Sequence, residues 1–230
     1  MRKDQSLLAY VLLSFTAAVL LLVMVRIESA QPSTTPLLDK AVVSSAFMAS
    51  CVAGIVLSAK PGFLRGKGKG PPIDRNQGPG RPRYVAHHPD CGSFDERVVV
   101  LRGRKYCGGC LGLMVGSITA LALTVIYFFA LDVSADEGWV AFLAGLAIVA
   151  LGLVEIASKR GTSWSHLLAN ALLVVGFFMV TIGALSSTGS GTYGLVALIV
   201  CFLWLDTRIQ ISDWRHAGTC ASCGRTCGFY

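Results

Sequence analysis

Charged side chains are scarce in this chain: Lys, Arg, Asp and Glu make up 14% of 230 residues while hydrophobic residues make up 53%. An ordinary soluble domain carries about 25% charge, so a freely soluble globule is excluded. Acids are the scarcer sign, 13 against 20 Lys and Arg. Catalytic signatures are missing too: the sequence has no phosphate-cradling glycine loop, no Ser/His/Asp arrangement and no His-Glu-x-x-His helix. Short segments of alternating polarity, the mark of a membrane β-barrel, are absent as well.

What is present is a set of continuous apolar runs and a mean hydropathy of +0.62. A helix needs about 20 apolar residues to cross the hydrocarbon core, and backbone groups in lipid must be bonded within the segment. The runs predict an all-α polytopic membrane protein with six transmembrane helices, over Leu7–Val25, Ala41–Ala59, Leu111–Leu131, Trp139–Ala157, His166–Leu185 and Thr192–Leu205. The last is short. Either it continues with Asp206 and Arg208 snorkelling to the headgroups, or it is tilted or thinned differently from the others. Trp139, Trp164, Trp204 and Trp214 stand at or just beyond these ends, where an interfacial aromatic belt belongs.

Charge then sets the orientation. An even number of spans gives one face Arg2, Lys3, the loop from Lys60 to Leu111, Lys159, Arg160 and a tail with Arg208, Arg215 and Arg225. The other face receives Arg26, Lys40 and an acidic turn, Asp132 to Glu137. The positive-inside rule makes the first face cytoplasmic, so the expected localisation is the cell membrane, multi-pass, with both termini in the cytoplasm. The formal charge of +7 follows from this topology and from contact with anionic headgroups of the bilayer, and nucleic acid is not an expected partner. The basic start and the small residues Ser29 and Ala30 imitate a signal peptide. The length of the apolar run and Glu28 favour an uncleaved first helix.

Five units follow: 1–59, a two-helix membrane hairpin; 60–83, a basic Gly/Pro-rich flexible linker; 84–110, a Cys/His metal-binding loop; 111–205, a four-helix membrane bundle; and 206–230, a Cys/His tail. The linker has little to bury and reads as a solvated loop that enforces topology, ahead of a headgroup or RNA tether. Within the membrane, Ser44, Ser45, Ala49, Cys51, Ala53 and Gly54 on the second helix are small enough for close packing. Gly108, Gly112 and Gly116 form a bare face on the third, serving a seam inside the chain or between copies in a homo-oligomer. Cys51 and Cys201 read as small packing residues.

The remaining six cysteines flank the membrane segments. Cys107-Gly-Gly-Cys110 opens the third helix, and Cys220-Ala-Ser-Cys223 lies in the tail. A Cys-x2-Cys turn aims two sulfurs at one tetrahedral centre, and adjacent glycine eases the turn. His87, His88 and Cys91 precede the first pair; His216 and Cys227 bracket the second. Since cytoplasmic thiols stay reduced, metal binding is expected over disulfides.

Two arrangements follow. In a local one, His87 or His88 joins Cys91, Cys107 and Cys110, and His216 joins Cys220, Cys223 and Cys227, giving two closed structural sites. In a crossed one, Cys107, Cys110, Cys220 and Cys223 share an all-thiolate ion. Zinc leads on ligand type, and an iron–sulfur cluster is the alternative; a third reading takes the pairs as redox-active thiols. The region 84–110 and the tail would then make a small cytoplasmic metal-binding cap. Within it, Val98 to Leu101 is a β-prone run, Arg102 to Lys105 a basic turn, and Arg97 to Arg104 one strand of a small hairpin.

The stretch through Cys91, Arg97, Gly103, Cys107, Cys110, Gly112 and Gly116 resembles a family of uncharacterised prokaryotic polytopic membrane proteins with a Cys-x-x-Cys-x-Gly-x-x-x-Gly signature entering a helix. The resemblance covers about thirty residues. It departs at Gly92, where the family usually has His, and at Gly109, where it often has Arg; His87 or His88 would replace the missing ligand. It implies a membrane protein with a metal site and no assigned activity.

Ionisable residues inside spans are costly and usually functional, and Glu155 is the one candidate. An i,i+4 pair with Lys159 is one reading; a cluster with His166 and Asn170, set for acid–base chemistry, is the other. The leading expectation is non-enzymatic: a scaffold, assembly or interaction module with structural zinc, meeting a protein partner. The alternatives are an electron-transfer protein using an iron–sulfur centre or dithiol pairs, and a small-solute transporter.

Overall fold

The computed structural model describes residues 3–29, 34–59, 83–84, 98–158 and 162–223, excepting the side chains of 3, 83, 84, 216, 217 and 219–223. Six helices dominate: α1 (Lys3–Glu28), α2 (Leu37–Ala59), α3 (Gly108–Ala130), α4 (Ala135–Ala157), α5 (Ser163–Thr188) and α6 (Gly191–Cys223). All six are long and apolar enough to cross a membrane. The protein is an all-helical bundle of the multi-pass type. Each helix covers its expected apolar run, except that α3 stops at Ala130, one residue short, and each starts one to four residues earlier; on α4 and α5 capping satisfies N–H groups of the added polar first turn. Ser134 and Glu137 form a full capping box on α4, and Thr162 accepts from Ser165 N–H on α5.

α5 is the axis. Val180 through Thr188 are buried without interruption, and α3, α4 and α6 pack around it. The contacts rest on missing side chains. A Cβ on Gly116 would lie 2.6 Å from Ala171 O, and one on Gly183 would lie 2.5 Å from Phe142 N. The glycine seam of α3 therefore serves α5 of the same chain, at Gly112 and Gly116.

α1 lies against α6 through polar contacts in an apolar setting. Ser14 and Thr207 share a hydrogen bond of 2.6 Å, and Trp204 donates Nε1–H to Ser14 O. Trp204 is 2% exposed and stacked on Phe177, so it belongs to the core and not to an interfacial belt. Trp164, 63% exposed at the start of α5, does suit the belt.

The bundle has two ends. At one, Tyr193 donates to Glu28, Gly191 N–H to Asp39, and Lys40 Nζ to Leu131 O. At the other, Trp214 Nε1 donates to Asp4, and Arg215 Nη1 donates to Ile156 O, the last turn of α4. The cysteine pair of α3 enters at this second end.

A three-stranded sheet leads into α3: β1 (Arg83–Tyr84), β2 (Val98–Leu101) and β3 (Arg104–Cys107), in the order β1-β3-β2. β2 and β3 form an antiparallel hairpin with Leu101 opposite Arg104. Its two-residue loop, Arg102-Gly103, has positive φ at both positions, the backbone that matches strand twist. The basic turn is thus shorter than its composition suggests, and Arg104 and Lys105 belong to β3. β1 runs parallel to β3, Tyr84 beside Lys105.

Candidate functional site

Cys107 ends β3 and precedes the first turn of α3; Cys110 is the third residue of that helix. The strand-to-helix junction brings the two thiols together, and they hydrogen-bond to each other. Cys107 is buried and Cys110 half-buried. A side chain at Gly109 between them would require the Arg208 guanidinium to shift, because a Cβ there would meet Arg208 Nη2 at 2.8 Å.

Arg208 is the residue that sequence reasoning misplaced. Its guanidinium packs against Gly109, within the field of both sulfurs, at the end of the bundle where α3 begins. Nε donates to Asn170 Oδ1 at 2.8 Å. Asn170 in turn donates Nδ2–H to His166 O at 2.5 Å, and it is 2% exposed. Among the described residues no carboxylate lies within ion-pairing distance of Arg208.

A second polar group adjoins this one. Glu155 Oε1 accepts from Ser165 Oγ at 2.7 Å, and Oε2 lies 3.2 Å from His166 Nδ1. The structure therefore brings Glu155 to His166. Asn170 faces Arg208 instead, and its bond to the His166 carbonyl links the two groups into one chain: Glu155, His166, Asn170, Arg208 and the cysteine pair. Lys159, the other suggested partner of Glu155, lies outside the described residues. Each Glu155 carboxylate oxygen has a partner, Ser165 for one and His166 for the other.

The other candidate ligands are placed less fully. His87, His88, Cys91 and Cys227 lie outside the described residues, as does the linker from Lys60. His216, Cys220 and Cys223 lie on the backbone of α6, which is regular helix through Cys223. The second Cys-x2-Cys is therefore a pair of helical positions and not a tight turn. At 3.6 residues per turn, positions 216, 220 and 223 share one face. Among the described residues, no group of three or more His, Cys, Asp or Glu side chains is arranged to hold a metal ion.

The backbone also fixes separations. Arg208 lies against Gly109, between the first cysteine pair, and at about 1.5 Å per residue Cys220 and Cys223 lie about 18 and 22 Å further along the axis of α6. In contrast, Tyr84 pairs with Lys105 and Val98 with Cys107, so the two described residues that bound 85–97 lie on either side of β3. His87, three residues beyond Tyr84, is held within about 11 Å of it by chain length alone.

Comparison with known protein families, with characterised proteins and with solved structures finds no match to this chain.

Proposed function

We propose that the protein is a membrane scaffold whose cysteine-bearing end is closed by structural zinc, with a local site made by Cys107, Cys110, Cys91 and either His87 or His88. The observation that carries this reading is the placement of Tyr84 and Val98, the described residues that bound 85–97, on either side of β3. Chain length then bounds how far His87, His88 and Cys91 can stand from the thiol pair. Three thiolates and one imidazole make a closed, structural coordination set. Metal binding requires both thiols as thiolates, and the Arg208 guanidinium stands against Gly109 between them. Zinc there would supply folding free energy to the sheet and to the entry of α3.

The crossed arrangement is disfavoured, because four sulfurs around one ion must lie within a few ångströms of each other, whereas α6 carries Cys220 and Cys223 about 18 and 22 Å beyond Arg208. His216, Cys220, Cys223 and Cys227 form a separate ligand set in this reading. The end of the bundle with Arg208, Arg215 and the hairpin's Arg102, Arg104 and Lys105 faces the cytoplasm, following the charge bias of the loops.

Elemental analysis of detergent-purified protein tests this directly. About two zinc ions per chain are expected, with Cys110→Ser and Cys223→Ser each losing a different one and the double variant losing both. A single ion lost in either variant would restore the crossed site. Iron with visible absorbance would move the reading to electron transfer, and metal-free protein would overturn it.

A further inference from the structure

Cys110 and Arg208 also stand at one end of a cavity that the zinc reading leaves unused. It measures about 270 Å³ and lies between α2, α3, α5 and α6. Its walls are largely apolar, with Phe47, Leu113, Val174, Phe177 and Leu198 among them, and Arg208 is the one charged residue lining it among the described residues. An apolar cavity of about 150 Å³ stays dry and binds benzene, so this one has room for a substantial apolar group.

Shape narrows the choice. The lining runs from Phe47 to Ser58 on α2 and from Leu198 to Ile209 on α6, each about 16 Å of helix. A volume this small spread over that length suits a single hydrocarbon chain, and a broad ring system does not fit it. Leu57, Phe202 and Ile209 line the cavity and are 39%, 51% and 41% exposed. Its open side therefore lies between α2 and α6, on the surface the bundle presents to lipid.

Charge narrows it again. A guanidinium has five donors, of which Arg208 commits Nε to Asn170. No carboxylate among the described residues pairs with it at close range, and a guanidinium fork matches the oxygens of a phosphate. Arg208 sits level with Ser58 at the end of α2 and Cys110 at the start of α3, near the end of the apolar section where headgroups lie.

We propose that this cavity holds one acyl chain of an anionic phospholipid from the surrounding bilayer, with its phosphate on Arg208. The site does not depend on the zinc reading. The lipid would fill the gap between α2 and α6 that the protein's own side chains leave, and would couple the anionic leaflet to the cysteine pair through Arg208.

The test places the full chain in nanodiscs of equimolar phosphatidylglycerol and phosphatidylcholine, extracts it into detergent, and counts bound lipid on the folded protein by native mass spectrometry. One phosphatidylglycerol per chain is expected, retained about tenfold over phosphatidylcholine. Arg208→Gln should abolish the preference. Ser50→Phe, which fills the wall and leaves Arg208 in place, should reduce retention of both lipids while zinc content stays unchanged. Equal retention of the two lipids by the native protein would overturn the proposal. So would phosphatidylglycerol retention that neither substitution lowers, or displacement of the lipid by excess inorganic phosphate alone.

Discussion

Gly116 and Gly152 both face α5, yet a methyl group added at each should act in opposite directions. At Gly116 the new carbon would lie 2.6 Å from Ala171 O and 2.8 Å from Ala171 Cα. Those are backbone atoms of the central helix and have no rotamer to change. At Gly152 the nearest atoms, Ala169 O and Leu173 Cδ1, are 3.5 Å away, an ordinary contact. Both substitutions gain about 1 kcal/mol from the higher helix propensity of Ala. Only Gly116→Ala also forces two packed backbones apart, and overpacking costs about 1–3 kcal/mol, with rigid backbone placing it near the upper end. The expectation is a net loss of about 2 kcal/mol for Gly116→Ala and a gain of about 0.5–1 kcal/mol for Gly152→Ala. Equilibrium unfolding in mixed micelles of rising dodecyl sulfate fraction, followed by far-ultraviolet circular dichroism, should put the two midpoints on opposite sides of the native protein. If Gly116→Ala unfolds at or above the Gly152→Ala midpoint, the α3–α5 seam is not a backbone contact and the account of the bundle axis fails.

Ser44 is fully buried on α2 and its hydroxyl has no hydrogen-bond partner among the described residues. Since an unsatisfied buried hydroxyl costs about 1–3 kcal/mol, Ser44→Ala should leave stability unchanged or raise it by up to about 1 kcal/mol in the same unfolding assay. Asn170→Ala removes the acceptor of Arg208 and leaves a charged donor short of a partner, so it should destabilise by about 2 kcal/mol. Asn170→Asp, which keeps an acceptor at that place, should recover most of the loss.

The six helices were legible in the sequence because a span is declared by length and hydropathy alone, and both survive without knowledge of neighbours. The α3 seam was legible for a related reason: glycines four apart share a face whatever they pack against. Trp204 and Arg208 were misplaced for the opposite reason. Each stands near the end of the apolar run that closes at Leu205, so composition assigns both to the interface. α6 instead continues as helix to Cys223, and the polar groups that draw them inward, Ser14 on α1 and Asn170 on α5, are distant in sequence. Asn170 had been singled out, but with Glu155; only the fold shows that its amide bridges His166 and Arg208. The cavity left no trace in the sequence, since it is a gap between four helices and its walls read as ordinary lipid-facing or core residues.

The position of Arg208 also accounts for Gly109. Gly109 stands between the paired cysteines, and a guanidinium from α6 lies where its side chain would begin, 2.8 Å from a built Cβ. A side chain at 109 would require that guanidinium to shift. The cation beside the two thiols is carried by α6. Attachment to α6 has a consequence that attachment to α3 would lack: the same guanidinium lines the cavity between α2 and α6. The proposed lipid would thereby meet the same cation that stands beside the cysteine pair.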